Sequence, residues 1–407
     1  MNEGLLFLAH RIPYPPNKGD KIRSFHLLRH LATRYRVHLG AFVDDPDDWQ
    51  HARTLETWCA EVKLLSLVPR RAKLASLTGL LTGEALTLPY YRSRELSRWA
   101  AARAADGTVT RGVAYSSAMA QFMPRVLARR VIDMVDVDSD KWTQYAATQR
   151  WPLSWIYARE GRKLATWEAC VAADFDATLL VSPDEAELLR QRAPAARARI
   201  GAYENGVDAE YFSPARDYPN PYAADTLDVA FTGAMDYWPN IDAVIWFAER
   251  IFPAVRAAVP AAQFTIVGSR PPEAVRGLAR QPGVVVTGGV PDVRPYLAHA
   301  ACVVAPLRIA RGVQNKVLEA MAMARPVVVT PQAAEGIRAV DGRDFQRADD
   351  ETAFVAAVVA ALRAGAGNPA ARACVLARYD WEHNVAAIDP LLNTAVPTAT
   401  PLEICPA

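Results

Sequence analysis

The chain has 407 residues, 51% hydrophobic and 22% charged, enough apolar material for two α/β cores. Its 46 Lys and Arg against 44 Asp and Glu leave a formal charge of +2, which excludes the dense basic surface of a nucleic-acid binder. Five cysteines and seven histidines, scattered without metal-ligand or C-x-x-C spacing, suggest neither a disulfide framework nor a metal site.

The opening Met1-Asn2-Glu3-Gly4 has no basic segment, and its apolar run stops at His10-Arg11, so no signal peptide is predicted and a cytoplasmic protein is expected. Leu5 to Leu8 reads as a buried strand, followed by a Pro/Gly loop and a helix with apolar positions Ile22, Phe25, Leu28 and Leu31. Further strands are predicted at Val37 to Val43, Ala114 to Ser116, Val131 to Val135 and Ala177 to Val181. Their alternation with helices predicts a doubly wound parallel sheet. A second series begins at Asp228 to Gly233 and continues at Gln263 to Gly268, Val284 to Gly288, Cys302 to Pro306 and Pro326 to Thr330. Between the two series lies Asn205-Gly206-Val207-Asp208 and a proline-bearing stretch with the composition of a linker. The predicted domains are 1–210, 211–378, a terminal helix at 379–392 and a disordered tail at 393–407. Ala353 to Leu362 reads as a packed helix, and no apolar run approaches the roughly 18 residues that span a bilayer.

Parallel sheets bind ligands beyond the carboxyl ends of their strands. The densest candidate follows the strand at Cys302: Arg311-Gly312-Val313-Gln314-Asn315-Lys316, then Val317-Leu318-Glu319 on a helix. A helix start with a glycine turn favours a diphosphate, Lys316 adds positive charge, and Glu319 lies on the same helical face, placed to accept from ribose hydroxyls. An ordinary surface Lys/Glu pair has the same spacing.

The run from Gly312 to Glu319, continuing to Arg325-Pro326-Val327-Val328, resembles the donor-site signature of glycosyltransferase family 4, retaining enzymes of the GT-B fold. Val181-Ser182-Pro183-Asp184-Glu185, Glu204-Asn205-Gly206-Val207-Asp208, Phe231-Thr232-Gly233 and Ile266-Val267-Gly268 are similar to further family segments, in the same order. Pro13-Tyr14-Pro15-Pro16-Asn17-Lys18-Gly19-Asp20 and Met235-Asp236-Tyr237-Trp238-Pro239-Asn240 resemble, more narrowly, sugar transferases of bacterial exopolysaccharide clusters tied to the exosortase (PEP-CTERM) system. The resemblance implies two Rossmann-like, doubly wound α/β domains facing across a cleft, with Tyr379-Asp380-Trp381 opening a helix that crosses back to the first. It also implies transfer of a sugar from a nucleotide diphosphate donor to a glycan or lipid-linked acceptor, with no cofactor and no metal.

By the same resemblance, the donor would meet Gly19, Gly233, Arg270, Arg311, Gly312, Gln314, Asn315, Lys316 and Glu319. Asp20 and Arg23 would face the acceptor, although Asp20 as a helix N-cap with a solvated Arg23 fits equally. Asp136 or Asp138 would take the place of a family histidine and, with Lys316, serve catalysis. A D-x-D pair is also a pattern of metal-dependent transferases. The chain departs from the family in having Arg311 where a first glutamate often stands, and Ala234 and Asn240 where an Arg and a Lys are usual. Lys316, Arg270 or Arg311 would then neutralise the diphosphate. Ala324 replaces a usual glycine, which reads as a packing variation. Other GT-B enzymes, such as an epimerase or phosphorylase, and a non-catalytic sugar-binding protein are the rival readings. The segment from Arg70-Arg71-Ala72-Lys73-Leu74 to Tyr90-Tyr91 is basic, apolar and aromatic. It suits peripheral contact with the inner face of a membrane, or a partly buried helix with a solvated basic end.

Overall fold

The computed structural model describes residues 3–16, 19–310 and 313–393. They form two compact units, one running to Glu204 and resuming at Glu382, the other Asn205–Trp381.

In the first unit the described residues form seven strands: β1 (Gly4–Ala9), β2 (Arg36–Val43), β3 (Glu61–Ser66), β4 (Arg111–Tyr115), β5 (Arg129–Val135), β6 (Ala177–Leu180) and β7 (Ile200–Ala202). Their order is β3-β2-β1-β4-β5-β6-β7 and every pairing is parallel. Parallel pairing needs a crossover over a sheet face, so the central strands are covered on both sides and read as unbroken apolar runs. Leu5, Leu6, Phe7 and Leu8 of β1 are accordingly all fully buried. The second unit repeats the plan with β8 (Leu227–Thr232), β9 (Ala262–Val267), β10 (Val284–Gly288), β11 (Cys302–Ala305), β12 (Val327–Val329) and β13 (Gln346–Arg347), in the order β10-β9-β8-β11-β12-β13. Phe231, Phe247, Phe252, Phe264 and Phe354 fill its core, with the Phe247 and Phe264 ring centroids 4.5 Å apart.

In each sheet the winding reverses beside the first strand, between β1 and β4 and between β8 and β11. The flanking crossovers diverge there and leave a crevice at the carboxyl ends.

After Trp381 the chain rejoins the first unit. Asp389 pairs with His30 at 2.8 Å, and Arg129 and Arg111 donate to the carbonyls of Leu391 and Leu392 at 2.6 and 2.9 Å, satisfying acceptors of the last helical turn. Among the described residues no single helix is long and apolar enough to cross a membrane. The apolar helix Glu351–Ala364 instead packs Phe354, Val358 and Leu362 into the second core.

Ala324 corrects the packing interpretation. It follows the helix Asn315–Ala322 with φ +53°, a left-handed conformation that glycine adopts freely and alanine only at a cost of about 1–2 kcal/mol. A glycine at this position would relieve the backbone rather than the packing.

Candidate functional site

In the second unit the carboxyl ends of β8, β9 and β10 run into Gly233, Gly268 and Gly288. The Gly233 N–H donates to Val267 O at 3.0 Å and the Gly268 N–H to Gly288 O at 3.1 Å. A Cβ on Gly268 would lie 1.8 Å from the Gly233 carbonyl oxygen, so these loops stack backbone on backbone. A Cβ on Gly233 would come within 2.8 Å of Asn240 Nδ2 and 3.0 Å of Lys316 Nζ. The missing side chain is what lets the lysine reach the loop.

Lys316 Nζ donates to Asn240 Oδ1 at 2.5 Å and lies 4.3 Å from the centroid of the Phe231 ring, while Asn240 Nδ2 donates to Ala234 O at 2.8 Å. Among the described residues no carboxylate lies within ion-pair distance of that ammonium. Burial pushes Lys316 down to about 7, with Glu319 opposing, and pushes Glu319 up to about 7, with Lys316 opposing. Two further polar atoms are buried without a partner among the described residues, Thr232 Oγ1 beside Gly233 and Asn315 Oδ1 at the helix start. Orphaned buried groups of this kind are costly unless a ligand serves them. The helix Asn315–Ala322 begins at Gln314, whose side chain does not cap it, so its positive end faces the same place. The arrangement suits a phosphorylated, hydroxyl-bearing ligand.

In the first unit a cavity of about 520 Å³ opens beside the reversal between β1 and β4. His10, the first residue after β1, lines it, stacked on Tyr115 with centroids 5.7 Å apart and edge-on to Tyr91. Its Nε2 is 3.4 Å from Asp20 Oδ2, and its Nδ1 is buried without a partner among the described residues. Arg11 Nη1 also donates to Asp20 at 2.6 Å while its Nη2 holds Asp44 at 2.8 Å. Burial alone would raise the Asp20 carboxyl, but His10 and Arg11 outweigh it and hold the group below the usual carboxylate range. On the other side Asp136 and Asp138 grip Lys141 at 2.6 and 3.1 Å. Burial would lower that ammonium, and the two carboxylates more than reverse it. Val135, the last residue of β5, at φ +70°, and Ser116, the residue after β4, at φ +79°, line the cavity in conformations that non-glycine residues seldom adopt. For a β-branched valine this is strain, of the sort found at binding sites.

The sequence candidates are thus distributed over two places. Asp20, Asp136 and Asp138 line one cavity, and Gly19 opens the helix beside it. Gly233, Asn315, Lys316 and Glu319 belong to the site in the second unit. Asp20 is not an N-cap: it lies inside the helix Gly19–Ala32 and its carboxylate is held by Arg11 and His10. Arg23 cannot contact an acceptor. It is fully buried, its Nε 2.8 Å from Asp133, its guanidinium 3.6 Å over the Tyr203 ring, and it donates to the Tyr203 carbonyl at 3.1 Å. Arg270, at φ +56°, is exposed and already paired with Asp236 at 3.0 Å. Arg311 and Gly312 lie outside the described residues. The Asp136/Asp138 pair is turned on a lysine, and among the described residues no group of three or more His, Cys, Asp or Glu is placed to hold a metal.

Sequence reasoning missed His10 and Lys141 and gave Asn240 only the role of a departure. Position could have found His10, which leaves the first strand at the winding reversal. Lys141 stands three residues beyond Asp138 on one helix, a spacing that pairs charges.

Two parallel Rossmann-like units define the GT-B fold class. The description "Glycosyl transferases group 1" belongs to the family model that matches residues 226–364, a third of the chain and most of the second unit. Similar structures include the sucrose-phosphate synthase of Thermosynechococcus elongatus, at TM-score 0.68 and 17% identity over 96% of this chain and 98% of that one. Anabaena HepE in complex with UDP and glucose aligns at TM-score 0.65 and 14% identity, over 96% and 99%. WaaG, a glycosyltransferase involved in lipopolysaccharide biosynthesis, aligns at 0.62 and 15% over the same shares. At such identities the likeness is one of fold. No curated protein matches the sequence.

Proposed function

We propose that the protein is a retaining glycosyltransferase that binds a nucleoside diphosphate sugar through its second unit. The observation that carries this reading is the Lys316 ammonium, held by Asn240 against the Gly233 loop at the end of β8 with no anionic partner of its own among the described residues. Asn240 stands where the related signature has a cation, and here it positions one instead. The complex of HepE with UDP and glucose and the matched family model favour a nucleotide sugar as the missing anion.

In the reaction the anomeric C–O bond breaks and its electron pair passes to the diphosphate oxygen. Lys316 and the start of the helix Asn315–Ala322 stabilise that charge. The acceptor hydroxyl attacks from the same face and its proton goes to the departing oxygen, so configuration is kept and no metal is required. Glu319 accepts from the ribose hydroxyls, and in the first unit Asp20 with Asp136 or Asp138 serves the acceptor in the cavity that they line, beside Gly19. A cytoplasmic role in exopolysaccharide assembly, of the kind tied to exosortase clusters, fits the N-terminal motif.

Isothermal titration with nucleoside diphosphates tests this. Affinity should peak near neutral pH, because Lys316 loses its proton above about 7 and Glu319 loses its charge below it. Glu319→Gln should weaken binding by about 1–3 kcal/mol and abolish the acid limb. A folded variant with unchanged affinity and an unchanged acid limb would remove Glu319 from the site.

A further inference from the structure

Half of the large apolar side chains that are exposed among the described residues fall in two short segments of the first unit, 68–81 and 145–155. Leu74 and Leu81 are 70% and 91% exposed in the first, Trp151 and Trp155 80% and 53% in the second. The segments are fixed to each other by buried polar anchors from one helix, Leu153–Asp174. The Arg159 guanidinium donates to Gly79 O at 2.6 Å and Glu84 O at 3.1 Å, and the Glu160 carboxylate accepts from Leu86 N at 2.6 Å and Thr87 N at 2.9 Å. The first segment reaches the cavity beside β1 and β4 through Lys73 and Ser76, and Ile156 and Tyr157, which directly follow the second, line its other side. The apolar groups therefore form a collar near the cavity wall.

The charge of the collar is one-sided. The stretch 67–83 contains Arg70, Arg71 and Lys73 and no acidic residue, and Arg150 precedes Trp151. All four cations are exposed, and none has a carboxylate partner among the described residues. Exposed leucines and tryptophans beside unpaired arginines and lysines match the boundary of a bilayer, where apolar groups enter the acyl region and cations meet anionic headgroups. A second copy is a poor occupant, because a two-fold contact through this face would set like charges against each other.

We propose that this collar docks on an anionic membrane surface, so that the cavity meets an acceptor anchored in lipid. The docking stands on the surface alone; the lipid-linked acceptor rests on the transferase reading.

Co-sedimentation with vesicles tests the docking. The full chain should bind phosphatidylcholine vesicles containing phosphatidylglycerol, bind pure phosphatidylcholine far less, and release as salt is raised. Arg70→Ser with Arg71→Ser should weaken binding more than about tenfold, each cation being worth roughly a factor of five at such a surface. Leu81→Ser with Trp151→Ser should weaken it comparably, and circular dichroism should show both variants folded, since these side chains are exposed. Nucleoside diphosphate affinity should not change in either, which separates failure of the docking from failure of the transferase reading. Absence of binding to the mixed vesicles, wild-type binding by both variants, or a concentration-dependent dimer that the same variants abolish would overturn the proposal.

Discussion

Replacing Lys316 with methionine is expected to lower the turnover of sugar transfer by about 10²–10³, the usual loss when one preorganised group facing developing charge is removed. Methionine keeps an unbranched stem against the Phe231 ring, so packing changes little while the ammonium disappears. Asn240 would remain bonded to Ala234 O, and the loop at Gly233 would stay in place. Thermal unfolding of the variant should therefore match the wild type, while turnover and nucleoside diphosphate affinity both fall. Normal turnover in this variant would mean that the charge on the leaving group is met by other residues.

The second large effect is on stability. Arg23→Met should destabilise the protein by about 3–5 kcal/mol, because it leaves the fully buried Asp133 without its cation. Tyr203 Oη, at 2.5 Å, and the Val135 N–H, at 3.1 Å, still donate to that carboxylate, but neither supplies charge. Denaturant titration checks this, and a second change, Asp133→Leu, should restore part of the loss by removing the unpaired buried carboxylate. No rescue by the double change would mean that the packing of Arg23 on Tyr203 matters more than its charge.

The central strands were legible because burial on both faces forces apolar runs: Leu5 to Leu8, Val131 to Val135 and Val327 to Val329 all lie where the pattern puts them. Of the four edge strands only β10 was, at Val284 to Gly288. β3 is only partly buried and carries Glu61 and Lys63, while β7 and β13 have three and two residues, too few for any period to register. The helix Gly19–Ala32 shows a different difficulty. Its apolar positions Ile22 and Phe25 are only partly buried, whereas Lys21, Arg23 and Ser24 are buried. Two buried ion pairs, Lys21 with Asp48 and Arg23 with Asp133, rotate the face in a way that hydrophobic periodicity does not register. The site divides along the same line. Gly233 and Lys316 could be read from strand ends and a helix start, but the anchoring of Lys316 by Asn240 joins residues 76 apart, and that of Asp20 by His10 and Arg11 depends on how β1 meets its helix.

The most direct measurement incubates the protein with a nucleoside diphosphate sugar and a lipid extract, with chelator present, while the anomeric proton is followed by nuclear magnetic resonance. The account predicts a sugar joined to the acceptor with the donor's anomeric configuration, one nucleoside diphosphate released for each sugar moved, and no dependence on divalent ions. Inverted product, conversion of the donor without an acceptor, or activity that the chelator abolishes and a divalent ion restores would contradict it.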